Sequence, residues 1–589
     1  MPLPIPRWFR RAAPVAAVVL LGMVLREIPN LTTAAWGNDF GIYLGLTERM
    51  AETGDLFPPY DGWGTSYQYF PALYGLTAGL HALTGAEVAV LLGRVAGVVG
   101  GLTILFAYLV GRELFGSRRI ALLAALILAI DPIHVYQTSH PAPLVMGHLA
   151  LGLALWLFLR WRRGGPWLPL LPAVLLLLVS HHLSTYFFIL AVAGIAFGSL
   201  FARRSPRKAF ARDVAFLGGV LTAAFAYWVF IATPVSSHVR SVTGLPTALV
   251  LGILLAGLVA LHRLAPRLAP LLARLRLPPQ LSARRAFLGV LGVGFAAMAA
   301  NVLLRPFGAA SALPLLGLLV LLPPLLLYAV AAAGAATAAR DRRWAPLLGV
   351  LAVYLGSLAF GFATQNAIIL SYRHLEYLSL PVALFAAKVV SRGLLRAREF
   401  ADTLTRSARL ARPRPAGGVF AAGLVALLLA NVATGYALTN GAVGPDERIP
   451  DVTLDLIDWM AAHIPREGTV AADHRISQVL WARGFTATND GAVVVFTEAE
   501  WYRIVDELRP FEPRVDYVVI DHIMVESGVQ SGTDLETPKM TGDTYGKFTL
   551  PPWRFVHRVE SEDGSRWAEL YRIDWEWADR HAWQETYLP

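Results

Sequence analysis

Between residues 14 and 438 the chain runs repeatedly through apolar stretches of about 17 to 25 residues, each long enough to cross a hydrocarbon core of about 30 Å as a helix. A membrane barrel would instead alternate apolar and polar residues. Composition agrees: 56% of the 589 residues are hydrophobic, only 16% are charged, and the mean hydropathy is +0.52. That is too apolar for a soluble fold and marks a polytopic α-helical membrane protein. Spans are expected near 14–28, 88–111, 120–133, 143–160, 167–180, 183–201, 214–232, 245–262, 286–304, 311–333, 345–365, 368–390 and 417–438, about thirteen transmembrane helices in all. The first follows Arg7, Arg10 and Arg11 as a signal peptide would, but no small-residue cleavage site follows it, so it reads as a retained span. With no cysteine in the chain, disulfides, thiolate metal sites and a Cys nucleophile are excluded together.

Orientation follows from the basic residues, because Lys and Arg beside spans are held on the cytoplasmic side. Seven segments hold 31 of the 51 Lys and Arg residues: the chain before the first span, then 112–119, 160–163, 203–212, 263–285, 340–343 and 388–414. They occupy alternate loops, so the N-terminus is expected inside and, after an odd number of spans, the C-terminal part outside. The net charge of +10 is then a topological signal with some contact to anionic lipids, and no nucleic-acid partner is expected.

Two regions are therefore expected: a transmembrane domain over 1–440, whose first outer loop is 29–87, and a soluble extracytoplasmic α/β domain over 445–589. After Gly444 charges become frequent, apolar runs shorten and turn formers appear, as in "SGTDLETPKMTGDTYGK". The pattern predicts a helix over 451–464, a strand at "TVAAD", a helix at "RISQVLWARGF", a strand at "AVVVF", a helix over 498–508, a strand at "DYVVIDHIMV" and a hairpin from "FVHRVE" to "AELYRID". No Gly-rich phosphate loop and no internal repeat is present.

On this topology the polar residues that interrupt the apolar background fall almost entirely on the outer side. Asn38 and Asp39 follow the first span; "DPIHVYQTSH", with Asp131 and His140, follows the third; His181 and His182 lie in "SHHLSTYF" between the fifth and sixth. Gln365, Tyr372, Arg373 and Glu376 frame the turn before the twelfth span, and Arg305 lies in another outer loop. Ionisable groups at that depth are costly unless they are paired or line a wet cavity, so these residues are expected to converge on one site. Arg373 and Glu376, spaced i and i+3 in "YRHLEY", suit either an internal ion pair or an Arg373 turned toward an anion such as phosphate. The histidines suit helix capping, headgroup contact, or a metal or phosphate, and adjacent helical histidines should point different ways. Asp131 before Pro132 and Asp39 before "FGIYLGLTERMAE" both also suit helix N-caps.

An acid just after the first span ("GNDFGIYLGLTERM"), a long outer loop ending in an aromatic-Pro step ("SYQYFPALYGLTAGLHALTG"), the span that follows and "DPIHVYQTS" together resemble the GT-C glycosyltransferase superfamily. The resemblance is close over residues 14 to about 200 and looser beyond, where "SYRHLEYLSLPVAL" and "VAADHRISQVLWARGFTATND" are similar to archaeal membrane proteins related to the oligosaccharyltransferase catalytic subunit. It implies a sugar donor linked to a polyprenyl phosphate or diphosphate, an acceptor of unknown class (lipid, glycan or protein), and transfer on the outer face. The Trp-Trp-Asp signature with which oligosaccharyltransferases hold their acceptor is missing, which argues against asparagine glycosylation specifically. Displacing a polyprenyl phosphate from an anomeric carbon needs a base for the acceptor hydroxyl and cations for the leaving phosphate. Asp39 is the expected catalytic residue, acting directly or through a divalent Mg²⁺ or Mn²⁺ ion held with Asp131. Arg373 is the leading phosphate ligand, with His181, His182, Arg305, Tyr372, Glu376, His140 and Gln365 as further candidates for the substrate. Two other classes remain open: a transporter or lipid-glycan flippase, which should show two similar halves and does not, and a scaffold presenting the outer domain, which would have no need of polar residues gathered at one face.

Overall fold

The computed structural model describes residues 7–201, 207–274, 282–304, 315–364, 373–406, 416–439, 446–531 and 538–585. Among the described residues eleven helices are long and apolar enough to cross a membrane, running from Ala12–Thr32 to Ala422–Thr439. A twelfth crossing forms if Arg118–Ala129 and Pro132–Ser139, bent by 62° at their junction, make one span. The expected fifth span, 167–180, is the 11-residue helix Leu170–Ser180, about 17 Å long at the usual rise and so shorter than a full crossing. Among the described residues 11 or 12 spans meet this length and hydropathy requirement where about thirteen are expected, and the difference lies in two local breaks. Pro132 cannot continue the preceding helix, and Asp131 starts a new one by accepting from the His134 amide at 3.0 Å. Pro166 and Pro169 delay the start of the short helix, and His181, in extended backbone, ends it.

The broken span is pinned from inside. Arg26, fully buried on the first span, donates to the Ala129 carbonyl left open at the break (3.2 Å), to Thr138 Oγ1 (2.6 Å) and to His134 Nδ1 (2.6 Å). A buried guanidinium is tolerated because its donors meet acceptors that the break itself exposes. Glycines allow close helix contact beside it: a Cβ on Gly101 would collide with Met23, and one on Gly100 with the Thr138 carbonyl.

The chain after 446 folds as a mixed five-stranded sheet. Besides the short β1 (Ala35–Trp36) and β2 (Arg448–Ile449), its strands are β3 (Thr469–Ala471), β4 (Thr486–Ala487), β5 (Val515–Asp521), β6 (Trp553–Glu560) and β7 (Trp567–Ile573). Their order is β4-β3-β5-β7-β6, with β3 parallel to both neighbours and β7 antiparallel to both of its own. The expected strand at "AVVVF" is instead a 3-10 turn (Asn489–Ala492) followed by one helical turn (Val494–Thr497), because Thr486–Ala487 already occupies the place beside β3. The strand expected over 516–525 stops at Asp521, whose side chain caps the helix His522–Glu526 through the Met524 amide.

This part does not stand apart from the membrane part. β1, just after the first span, pairs antiparallel with β2. The helix Phe40–Thr53 lies against the helix His474–Ala482, and one hydrophobic core runs through both, holding Phe40, Leu44 and Leu73 with Ile476, Val479 and Val518. Gly41 makes that approach possible, since a Cβ there would overlap the Gln478–Val479 backbone.

Candidate active site

Asp39 stands at the N-terminal end of Phe40–Thr53 but makes no capping hydrogen bond, so the helix does not account for it. Its carboxylate is taken up elsewhere. Oδ1 lies 3.0 Å from His474 Nε2, and Oδ2 accepts from the hydroxyls of Tyr67 (3.1 Å) and Tyr43 (3.2 Å). Burial alone would push the Asp39 carboxyl up, but the hydrogen bond and charge of His474, with both tyrosine hydroxyls, hold it below the usual carboxylate range. The same anion and burial raise Tyr67 and Tyr43 well above an ordinary phenol, so both remain donors. Asp39 keeps 24% of its side chain exposed.

His474 comes from the first turn of the helix His474–Ala482, started by Asp473, which accepts from the Ile476 amide. Its other nitrogen, Nδ1, is 2.9 Å from Asp490 Oδ1, and the ring is wholly buried, edge-on to Trp63 at 4.8 Å. Burial would lower its pKa, yet the two carboxylates lift it to about 9.

A second pair crosses between the same two parts. His140 Nδ1 donates to the Tyr136 carbonyl at 2.9 Å, and Nε2 meets Glu447 Oε2 at 2.5 Å. Glu447 also accepts from the Tyr136 hydroxyl at 2.5 Å and the Asn38 amide at 3.3 Å. These contacts outweigh burial and hold the Glu447 carboxyl below its ordinary range. His140, expected to touch substrate, holds Glu447, with Trp36 packed on its ring at 3.8 Å and a 32° tilt.

Arg373 begins the helix Arg373–Arg406, and its Nη1 donates to Gln137 Oε1 at 3.1 Å. Gln137 sits on the short helix that ends at His140, so Arg373 joins the same cluster as Asn38 and Asp39. Glu376 lies one turn on, 2% exposed, and neither of its oxygens has a hydrogen-bond partner among the described residues. Among the described residues Glu376 therefore makes no hydrogen bond to Arg373. His181 is extended and caps the next helix, its Nδ1 accepting from the Ser184 amide at 3.3 Å. Because His181 precedes the helix that His182 starts, the two rings do not diverge as helical neighbours would; they lie 4.9 Å apart, and Phe70 packs against His182 at 5.2 Å. Phe70 follows the 3-10 turn Tyr67–Tyr69, which links the histidines back to Asp39 through Tyr67. Tyr377 closes the other side, 3.4 Å from His181 Nδ1. Arg305, Gln365 and Tyr372 lie outside the described residues.

Asp131 is 1% exposed, caps its helix, and joins no group of three or more His, Asp or Glu residues arranged around an ion among the described residues. Asp39 already accepts three hydrogen bonds, leaving roughly one of the four acceptor directions of a carboxylate open. Asp131 Oδ2 and both Glu376 oxygens are buried without hydrogen-bond partners among the described residues.

No protein-family model matches the chain, and no curated protein sequence matches it. Solved structures do. The crystal structure of the Archaeoglobus fulgidus oligosaccharyltransferase tethered with an acceptor peptide containing the NVT sequon superimposes with a TM-score of 0.56 at 15% identity, covering 88% of this chain and 70% of that one. The archaeal oligosaccharyltransferase AglB from the same organism, in complex with an inhibitory peptide and a dolichol-phosphate, gives 0.54 at 16%, covering 95% and 74%. Its complex with Zn and sulfate gives 0.51 at 16%, covering 94% and 72%. The chain shares the membrane fold of these structures. The sequence singled out Asp39 and Arg373 but passed over His474, Asp490, Glu447, Tyr43 and Tyr67. His474 lies 435 positions from Asp39, and only the pairing of β1 with β2 and the contact at Gly41 bring the two together.

Proposed function

We propose that this protein is a membrane glycosyltransferase that moves a sugar from a polyprenyl-phosphate-linked donor to an acceptor on the extracytoplasmic face. The observation that carries the reading is Asp39: an ionised, partly open carboxylate with no capping role, held by three donors and grouped with Arg373 at the end of the helical bundle that bears the C-terminal sheet. Alternation of basic loops supports the outer placement of that end. The GT-C fold supports the reaction class, since the neighbouring proteins are oligosaccharyltransferases and one of them was solved with dolichol-phosphate.

In this reading the acceptor hydroxyl approaches the open direction of Asp39, which takes its proton as the acceptor oxygen bonds to the anomeric carbon. The bond from that carbon to the phosphate oxygen breaks, and the electron pair leaves on the polyprenyl phosphate. Arg373 faces the charge that develops there, where a guanidinium matches two phosphate oxygens. Tyr43 and Tyr67 fix the carboxylate, and His181 and His182 line the approach between Phe70 and Tyr377.

A second reading, transfer to asparagine, follows from the likeness to a structure holding an NVT peptide. One experiment separates the possibilities. The purified protein in nanodiscs is given labelled sugars on polyprenyl phosphate or diphosphate, with either a sequon peptide or a lipid or glycan hydroxyl acceptor. Sugar appearing on a hydroxyl acceptor supports the proposal, sugar on the peptide supports the second reading, and movement of intact donor across the bilayer without transfer would establish a flippase instead.

A further inference from the structure

We propose that Lys388 is the buried end of a binding site for a phosphate group, carried by an anionic phospholipid of the leaflet around the basic end of the helical bundle. Lys388 lies fifteen residues after Arg373 on the helix Arg373–Arg406, about 22 Å further along at the usual rise. The site is thus separate from the Asp39 cluster and independent of the reaction proposed there. The spans Leu319–Ala338 and Arg342–Thr364 are joined at this level by a tight turn. In it Asp341 accepts from the Arg343 amide at 3.0 Å and starts the 3-10 turn Arg342–Trp344. Trp344, 5% exposed, stacks on Phe115 at 3.9 Å and lies beside Phe385, the ring centres 5.8 Å apart. Lys388, one turn after Phe385, crosses that indole with Nζ 4.2 Å from the ring centre.

Three observations point to an anionic ligand. First, Lys388 is 3% exposed, and its amine has no hydrogen-bond partner among the described residues. The indole face supplies part of what a buried cation needs, but an ammonium carries three N–H donors, and leaving them unmet is costly. Second, the acid at hand is already engaged. Asp341, whose charge bears on Lys388, accepts from Arg343 Nε at 3.1 Å and Nη2 at 2.7 Å. Third, the other charges that bear on the amine are those of Arg392 and Arg343, both at exposed positions, Arg343 with 68% of its side chain open. Over 340–343 and 388–392 the chain sets five basic residues against Asp341 alone. Positive charge in such excess around a buried, unmet amine calls for an anion from outside the protein.

A phosphate meets this arrangement because its oxygens diverge. The guanidinium groups of Arg343 and Arg392 take it from the open side, and the Lys388 ammonium, a compact charge on a flexible four-carbon stem, turns to it from beneath. The membrane is the source because the turn that carries Arg343 joins two spans, and protein covers only 28% of the span Arg342–Thr364, so acyl chains run along that helix up to the turn. Basic pockets between spans, at the end where Lys and Arg collect, suit acidic lipid headgroups.

The test uses the full-length protein in nanodiscs of phosphatidylcholine, with or without phosphatidylglycerol. Native mass spectrometry after mild release should find phosphatidylglycerol retained on the wild type, with affinity lower by about tenfold or more in Lys388→Met. That substitution keeps an unbranched side chain against Trp344, and Arg343→Gln, at an exposed position, should weaken retention as well without touching the buried face. Melting temperature separates a ligand group from a lysine that is merely buried: phosphatidylglycerol should raise it for the wild type but not for Lys388→Met, whereas a purely structural lysine would leave the two proteins with the same response. Equal retention, or an equal rise in melting temperature, in the wild type and both variants would overturn the proposal. Inorganic phosphate that stabilises the wild type in pure phosphatidylcholine as much as phosphatidylglycerol does would overturn the lipid as the source.

Discussion

At the scale of single residues, the site is a set of charges each held by named partners, and that makes its response to pH and substitution calculable. His474 is lifted from 6.5 to about 9 in the folded chain. A group raised in this way stabilises the fold fully below its unfolded value and loses that contribution as pH rises through the folded one, a term on the order of 3 kcal/mol for a shift of this size. Thermal unfolding should therefore be flat below about pH 6.5 and show a fall in melting temperature up to about pH 9, and Asp490→Asn should flatten that fall. A wild type whose melting temperature does not change over that window would contradict the charge assignment. Arg373→Ala should weaken donor binding, because a charge-assisted contact to phosphate is worth about 1.5–3 kcal/mol, read as a roughly ten- to hundredfold rise in the donor dissociation constant. Asp39 and Arg373 were legible in the sequence because an ionisable group beside a span is conspicuous. His474 and Glu447 were not, since within a soluble, charged segment nothing marks a residue whose partner lies in the membrane part.

At the scale of elements, the helix Phe40–Thr53 and the helix His474–Ala482 form the joint that the site depends on. Gly41 leaves no room for a side chain against the Gln478–Val479 backbone. Gly41→Ala should push the two helices apart, lengthen the Asp39–His474 contact and lower stability by about 1–3 kcal/mol, as overpacking does. Activity should fall along with the melting temperature, whereas Gly54→Ala, at a helix end with open space around it, should reduce stability through its positive φ without that loss of activity. Equal activity loss in both would detach the joint from the chemistry. The sequence located each apolar segment but not how far two of them run, because a Pro step and a capping Asp act on the chain only once neighbouring helices hold the break. "AVVVF" looked like a strand for the same kind of reason: its composition is that of a strand, but the sheet position beside β3 belongs to Thr486–Ala487.

At the scale of the molecule, the chain after 446 packs on the first outer segment and contributes to the site, through His474 to Asp39 and Glu447 to His140. The sequence suggests a second region after Gly444 and, from its basic loops, an expected orientation in a membrane. It could not show that one hydrophobic core joins that region to the first loop. Since the chain has no cysteine, single introduced thiols report sidedness cleanly. In intact cells a membrane-impermeant maleimide should label Asp563→Cys, exposed in the turn between β6 and β7, and should leave Arg284→Cys unlabelled until the membrane is opened. The central claim is that Asp39 does chemistry on a polyprenyl-phosphate-linked sugar. Its most direct test is transfer from a bound donor measured side by side for the wild type and Asp39→Asn, a substitution that keeps size and hydrogen bonding but removes the charge. The account predicts a rate lower by about 10²- to 10⁴-fold with donor affinity nearly unchanged; transfer at the wild-type rate by Asp39→Asn would contradict it.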